Sequence, residues 1–249
     1  MIKNKKVNAA ILIIGNEILS GRTQDTNTST IAIWLNSIGV KVQEVRVIPD
    51  IEKIIIETVN ELRKKNDYVF TTGGIGPTHD DITAESISKT FQLDYEIHKG
   101  AFKILEAYYK QGEFNEGRQK MVWMPKDAKL ILNPTSGAPG FIVENVFCLP
   151  GVPSILKSML GGLKNMIVGG EPILSHTVSL RTVESEIAQS LTNVQNNNKD
   201  VEIGSYPFFQ AGKLGVSIVI RSEDKSKIDK CNSQILNFVK EKKIEVVKR

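Results

Sequence analysis

Val69-Phe70-Thr71-Thr72-Gly73-Gly74-Ile75-Gly76-Pro77-Thr78-His79-Asp80-Asp81-Ile82-Thr83 is the stretch on which the fold turns. Tyr68 to Thr72 reads as a short buried strand. Gly73, Gly74, Gly76 and Pro77 cannot prolong it. Ile82, Ala84, Ile87 and Phe91 then recur at helical spacing. The expected unit is strand, glycine loop, helix. Without Cβ atoms in the way, backbone N–H groups of such a loop can approach an anion, and the helix N-terminus adds partial positive charge. Asp80 or Asp81 is expected to cap that helix. Two carboxylates beside a phosphate cradle also suit a hard divalent cation.

Upstream, Val7 to Ile14 is an apolar run of strand length without alternation, as in a strand buried on both faces of a parallel sheet. Gly15-Asn16-Glu17 ends it, and Gly21 to Asn27 reads as a polar loop. Asn27 or Thr28 is expected to cap the next helix, whose face is Ile31, Trp34, Leu35 and Ile38 and whose stop is Gly39. Val40 to Val47 is strand-like, Pro49-Asp50 is a break, and Ile51, Ile54, Ile55, Val59 and Leu62 mark a second helix. Two successive β–α–β units imply a parallel sheet. Ligands of such sheets bind beyond the carboxyl ends of the strands. Glu17, Asp50 and the Gly73–Asp81 loop all follow strands, so they are expected to meet at one edge.

Downstream, Phe102, Leu105 and Tyr109 suggest a helix, and Gln111 to Lys120 a polar loop. Trp123-Met124-Pro125 and Lys129 to Leu132 read as extended, and Asn133 to Gly140 as a turn-rich loop. Phe141–Val143 and Val146–Leu149 flank Glu144-Asn145 as a tight hairpin. Pro150-Gly151-Val152 leads to Pro153 at a helix N1, a second anion-facing helix start. Glycines at 161, 162, 169 and 170 mark a boundary. Strand (Ile173–Leu180), helix (Glu184–Val194), two strands (Val201–Ser205, Leu214–Arg221) and helix (Lys227–Lys240) follow. The fold class is therefore α/β, a mostly parallel sheet sandwiched by helices over residues 1–168, with a small α+β domain over 169–249.

The chain has 249 residues, 41% hydrophobic and 24% charged, the balance of an ordinary soluble globular protein. The net charge of +4, from 32 basic and 28 acidic residues, sits largely at the ends: Lys3, Lys5 and Lys6, then Lys240, Lys242, Lys243, Lys248 and Arg249. These read as solvated ends, so a nucleic-acid partner is not expected. No apolar run spans a membrane, no secretory leader is visible, and Cys148 and Cys231 read as buried free thiols. A cytoplasmic protein is expected.

The residues from Thr71 to Thr83 resemble the signature of the molybdopterin-binding fold shared by the MoaB/MogA molybdenum-cofactor proteins and the CinA competence/damage-inducible proteins. Gly15-Asn16-Glu17-Ile18-Leu19 and Thr26-Asn27-Thr28 resemble the CinA branch, from whose usual pattern Asn16 and Asp25-Thr26-Asn27 depart. Asn133 to Phe141 and Leu149 to Pro153 match further blocks, so the similarity covers about residues 7–160. The segment around Ser205-Tyr206-Pro207 resembles the KH-like module that follows in CinA and the corresponding part of eukaryotic FAD synthases. CinA proteins commonly carry a further amidase domain, for which 249 residues leave no room, so amidase activity is not expected.

The resemblance implies a divalent-metal-dependent pyrophosphatase acting on ADP-ribose- or FAD-like dinucleotides, with Mg, Mn or Co as cofactor. The alternatives are a pterin-binding or adenylylating protein of molybdenum-cofactor synthesis and a non-catalytic RNA-binding module. The partner is a nucleotide or pterin, and a homo-oligomer is expected. By family position Asp50 and Asp81 are the catalytic, metal-holding carboxylates, with Glu17 and Asp80 in support. Asp50 also reads as a turn residue, Asp81 as a cap and Glu17 as a solvated loop carboxylate. Gly73, Gly74 and Gly76, with Pro77, would cradle the phosphate, and Thr78 and Thr83 would donate hydroxyls. Ser136 and Gly137 are a second donor set, Pro150-Gly151 a second loop at the edge, and Asn27 either positions substrate or caps its helix. A side chain at Gly74 is expected to strike a bound phosphate, lowering affinity more than stability. His79 reads as an exposed loop residue, and His98 and His176 as surface residues. Gly212-Lys213-Leu214-Gly215 has the GxxG form of KH loops but sits between two strands, where a hairpin turn is expected, with Tyr206, Phe208 and Phe209 packing beside it.

Overall fold

The computed structural model describes residues 7–210 and 212–247. Lys3, Lys5, Lys6, Lys248 and Arg249 lie outside the described residues, while Lys240, Lys242 and Lys243 are exposed. Contacts divide the chain into two compact units, Met1–Gly170 and Glu171–Arg249.

The first unit begins with β1 (Val7–Ile14), a helical turn α1 (Asn16–Leu19), α2 (Asn27–Ser37), β2 (Val40–Ile48), α3 (Glu52–Lys65) and β3 (Tyr68–Thr72). After the glycine loop come α4 (Thr83–Phe91), β4 (Tyr95–Ile97), α5 (Lys99–Tyr108), α6 (Glu116–Gln119), a 3-10 turn (Lys120–Val122) and β5 (Trp123–Pro125). β6 (Lys129–Ile131), β7 (Gly140–Val143), β8 (Val146–Leu149) and α7 (Pro153–Leu160) complete it. The main sheet has the order β2-β1-β3-β8-β7-β6, parallel from β2 to β8 and antiparallel beyond. β4 and β5 form a separate antiparallel pair.

The apolar run Ala9 to Ile14 of β1 has a direct cause. Ala10, Leu12 and Ile14 pack with Ile55, Val59 and Leu62 of α3, Ile87 of α4 and Leu105 of α5. Ala9, Ile11 and Ile13 pack on the other face with Ile31 and Leu35 of α2 and Leu156 and Met159 of α7. Both faces are core, so alternation disappears. Each buried Leu or Ile contributes about 1.5–3 kcal/mol. Phe70 of β3 stacks on Phe147 of β8 at 4.9 Å and meets Trp34 edge-on at 6.0 Å.

Side-chain amides fasten the amino edge of this sheet. The Asn8 N–H donates to Asp67 Oδ2 at 3.0 Å, and the Asp67 N–H donates to Asn8 Oδ1 at 2.9 Å. Asn145, in the β7–β8 turn, donates to the carbonyls of Arg63 and Asn66 at 3.0 Å each.

Local structure departs from the sequence reading at several points. Asp25, not Asn27 or Thr28, receives the first N–H groups of α2, those of Asn27 (2.8 Å) and Thr28 (3.2 Å). Neither Asp80 nor Asp81 caps α4, whose cap position is Ile82 without a side-chain bond. Part of the expected 111–120 loop is helical. His98 is half-buried and caps α5, accepting from the Ala101 N–H at 3.1 Å, with Nε2 3.0 Å from the Ala128 carbonyl.

The second unit runs β9 (Leu174–Arg181), α8 (Glu184–Asn197), β10 (Glu202–Gln210), β11 (Lys213–Ser222), α9 (Lys225–Glu241) and β12 (Glu245–Val247). Its antiparallel sheet has the order β10-β11-β9-β12. Ile228, Cys231, Ile235 and Val239 of α9 pack on Val178, Leu180, Val216, Ile218 and Ile220 of the sheet. β10 continues five residues beyond the expected Ser205, through Pro207, which an edge strand tolerates. The Gly212 turn joins β10 to β11. Phe208 lies over Gly215 and the half-exposed Tyr206 ring over Gly204, but Phe209 is 71% exposed and does not pack as expected. Cys148 and Cys231 are buried free thiols. No helix among the described residues is long and apolar enough to cross a membrane.

Candidate functional site

β1, β2, β3 and β8 are parallel neighbours, so the loops after them share one edge. These loops are Gly15–Glu17, Pro49–Asp50, Gly73–Asp81 and Pro150–Gly151. Backbone bonds fasten them to one another: the Gly15 N–H to the Ile48 carbonyl (3.1 Å) and the Gly73 N–H to the Leu149 carbonyl (3.1 Å). Gly73, at φ 105°, passes so close to β1 that a Cβ would stand 2.1 Å from the Ile14 carbonyl oxygen. Only glycine fits there.

Gly74, at φ 66°, is constrained differently. A Cβ on it would stand 2.2 Å from Thr83 Oγ1. The side chain of a Gly74 variant therefore runs into Thr83 and costs stability directly, contrary to the expectation of a clash with phosphate. Thr83 is fully buried; its hydroxyl donates to the Gly73 carbonyl at 3.0 Å and its N–H to the Gly74 carbonyl at 2.9 Å. Its proton is spent inside the loop, so Thr83 is a brace and not a ligand donor.

Asp81 folds back on the loop. Its Oδ2 accepts the Thr78 N–H at 2.8 Å and the Thr78 hydroxyl at 2.5 Å. Asp80 is exposed, and its carboxyl is held below the usual range, first by the Thr78 hydroxyl it shares with Asp81, then by its own N–H, with help from His79 and Lys120. Asp50 Oδ2 accepts the Asn16 N–H at 2.8 Å and so ties the β2 end to α1. The exposed Glu17 curls over Gly15, its carboxylate 2.5 Å from where a Cβ would stand.

Asn27 is buried beside the strand ends. Its amide nitrogen donates to the Gly151 carbonyl at 2.7 Å and to Thr72 Oγ1 at 3.0 Å. The Thr72 hydroxyl donates in turn to the Pro150 carbonyl at 3.1 Å. Asn27 thus stitches α2, β3 and the 150–151 loop together, while its Oδ1 is buried without a partner. The backbone N–H groups of Ser136 and Gly137 are spent internally. The Ser136 N–H goes to Asn133 Oδ1 (3.1 Å), the Gly137 N–H to the Asn133 carbonyl (3.3 Å), and the Ser136 hydroxyl oxygen accepts from the Asn133 amide (2.7 Å). Gly137 also packs against Tyr108. As a second set of backbone donors this pair is therefore not available. Pro77 is exposed on the outer side of the loop.

Beside the glycine loop a shallow, open crevice is lined by Gly76, Asp81, Tyr95, Lys120, Trp123 and Pro139, among others. Tyr95 and Trp123 meet at 5.5 Å, and burial pushes the Tyr95 hydroxyl up to about 12. The Lys120 ammonium donates to the Thr78 carbonyl. Lys120 was not legible in the sequence: it ends a polar stretch with no apolar stripe, and only the fold carries it to the loop.

Among the described residues no three His, Cys, Asp or Glu side chains converge. Asp50 and Asp81 each accept from the chain through Oδ2. A Mg²⁺-like ion needs no more than one or two protein carboxylates, with phosphate oxygens and water completing its shell.

The fold and its edge define an α/β protein whose glycine loop closes the carboxyl ends of a parallel sheet. The chain belongs to the family described as "Probable molybdopterin binding domain", whose sequence profile matches residues 10–176. Residues 172–248 match the middle domain of FAD synthase. A relative in Archaeoglobus fulgidus is 36% identical, over 94% of this chain and 98% of its own length. One in Clostridioides difficile, whose name includes the words competence-damage inducible protein, is 32% identical over 86% of this chain and 53% of its own. This chain spans about half of that relative. The crystal structure of the protein CinA from Thermoplasma acidophilum, titled as of unknown function, aligns with a TM-score of 0.60 and 32% identity, over 65% of this chain and 99% of that one.

Proposed function

We propose that the first unit is a divalent-metal-dependent nucleotide pyrophosphatase acting on ADP-ribose- or FAD-like dinucleotides. The observation that carries this reading is the glycine loop at the carboxyl edge, with Asp50 and Asp81 each accepting from the chain there through Oδ2. Gly73, Gly74 and Gly76 bring backbone close to a diphosphate. A bound divalent ion supplies charge neutralisation and an oriented water. Asp50 and Asp81 are the residues that would hold it; Glu17 and Asp80 stand at the rim. Water adds to one phosphorus, the P–O–P bridge breaks, and ADP-ribose yields AMP and ribose 5-phosphate. The match of the second unit to the FAD synthase middle domain supports a dinucleotide substrate. The same reading takes the protein as a cytoplasmic homo-oligomer, with exposed Ile33 on α2 among the apolar groups an assembly would cover.

The second reading, a pterin-binding or adenylylating protein, is favoured by the family description itself. Purified protein incubated with ADP-ribose, FAD and NAD plus Mg²⁺, Mn²⁺ or Co²⁺ separates the two. Metal-dependent AMP release is expected. Tight pterin binding without AMP release would replace the first reading with the second.

A further inference from the structure

The loops of the carboxyl edge are acidic. Glu17, Asp50, Asp80 and Asp81 stand there, and Asp25 is spent on capping α2. The same loops carry the exposed Arg22 and His79. A diphosphate brought to this edge carries two or more negative charges of its own. Helix N-termini offset only part of that charge. The fold brings one further cation to the loop from a distant segment. Lys120 is half-buried, its ammonium rests on the Thr78 carbonyl, and it lines the same crevice as Gly76 and Asp81.

Like Lys242 on the Glu186 carbonyl, Lys120 rests on a backbone carbonyl and forms no salt bridge among the described residues. A neutral carbonyl fixes the position of the ammonium without cancelling its charge. One of its three N–H donors is used, which leaves two for an incoming group.

We propose that Lys120 is the phosphate-neutralising cation of this edge, reading a diphosphate oxygen while braced on the glycine loop. The proposal rests on the nucleotide reading above and adds a residue outside the glycine motif. It also makes ligand affinity partly independent of metal.

The test is the affinity of the full chain for ADP-ribose by calorimetry in EDTA, with the melting temperature measured on the same samples. Lys120→Gln keeps a donor for the Thr78 carbonyl and removes the charge; Lys120→Arg keeps both. Loss of one charge-assisted bond predicts about tenfold or more weaker binding for Lys120→Gln. The arginine variant should stay within about threefold of the parent, and all three melting temperatures should agree. Parent-like affinity in Lys120→Gln overturns the Lys120 role and leaves the nucleotide reading standing. Weakened binding in both variants together with lowered melting temperatures makes Lys120 a structural brace only and overturns it too. A parent protein that does not bind ADP-ribose removes the nucleotide reading and the Lys120 role with it.

Discussion

Replacing Gly74 with alanine measures how the glycine loop is held. At φ 66° a non-glycine residue costs about 1–2 kcal/mol. The new Cβ would stand 2.2 Å from Thr83 Oγ1, a distance no pair of atoms sustains. The Thr83 hydroxyl must leave the Gly73 carbonyl, and disrupting a fully buried bond costs about 1–3 kcal/mol more. Gly74→Ala is therefore expected to destabilise the first unit by about 2–5 kcal/mol. Thr83→Ala alone loses the same hydrogen bond, about 1–3 kcal/mol. In the double variant the next contact is Thr83 Cβ at 3.2 Å, so the hydroxyl term is counted once. The double variant should then be about 1–3 kcal/mol more stable than the sum of the singles. Urea unfolding followed by tryptophan fluorescence reports the first unit alone, because both tryptophans of the chain, Trp34 and Trp123, lie in it. Additivity within about 0.5 kcal/mol, or a Gly74→Ala cost below about 1 kcal/mol, refutes the assignment of Thr83 as the group that fills this position.

Asp81→Asn should lower metal-dependent AMP release by about 100-fold or more while the melting temperature changes little, since the amide oxygen still accepts from Thr78. Unchanged turnover in that variant makes Asp81 a loop brace only. The carboxyl of Glu61 is lowered from 4.5 to about 2, first by Arg46 and then by Lys65. Its stabilising contribution is thus present above pH 4.5 and lost as pH falls toward 2. Glu61→Gln should flatten that part of the acid-unfolding profile, and an unaltered profile would show that the pair is silent. A chain ending at Gly170 should still bind ADP-ribose, because every residue assigned to the site lies in the first unit. A folded truncation that fails to bind would mean that the second unit completes the site.

Much of this arrangement was legible because burial leaves a pattern. Residues 9–14 are apolar without alternation because helices cover both faces of β1, and α3 shows its stripe because one side is solvated. The glycines of the loop announced themselves by type, since Gly73 and Gly74 adopt backbone that other residues resist. Caps were harder. Asp25 and Asn27 stand two residues apart and both can accept, so only the chain path decides which one does. The Thr83 hydroxyl and the Ser136 and Gly137 N–H groups differ from the reading for a related reason: a hydroxyl or N–H shows no sign in sequence of being spent on a neighbour. α6 and Lys120 escaped because a four-residue polar helix has no period to detect. β10 is longer than the expected Val201–Ser205 because it runs through Pro207, which its edge position permits.

The amide clasps at the amino edge bear on how the molecule can be rebuilt. Asn8 with Asp67, and Asn145 with Arg63 and Asn66, pin strand alignment at the end of the sheet where no ligand is read. Alignment there does not depend on the opposite loops, so those loops can be exchanged or lengthened without shifting β1 against β3. Residues 21–24, all exposed, offer the insertion point. A reporter peptide placed between Gly21 and Arg22 would stand beside the carboxyl edge while the strands beneath it keep their pairing, giving a scaffold whose recognition loops can be varied separately from its frame.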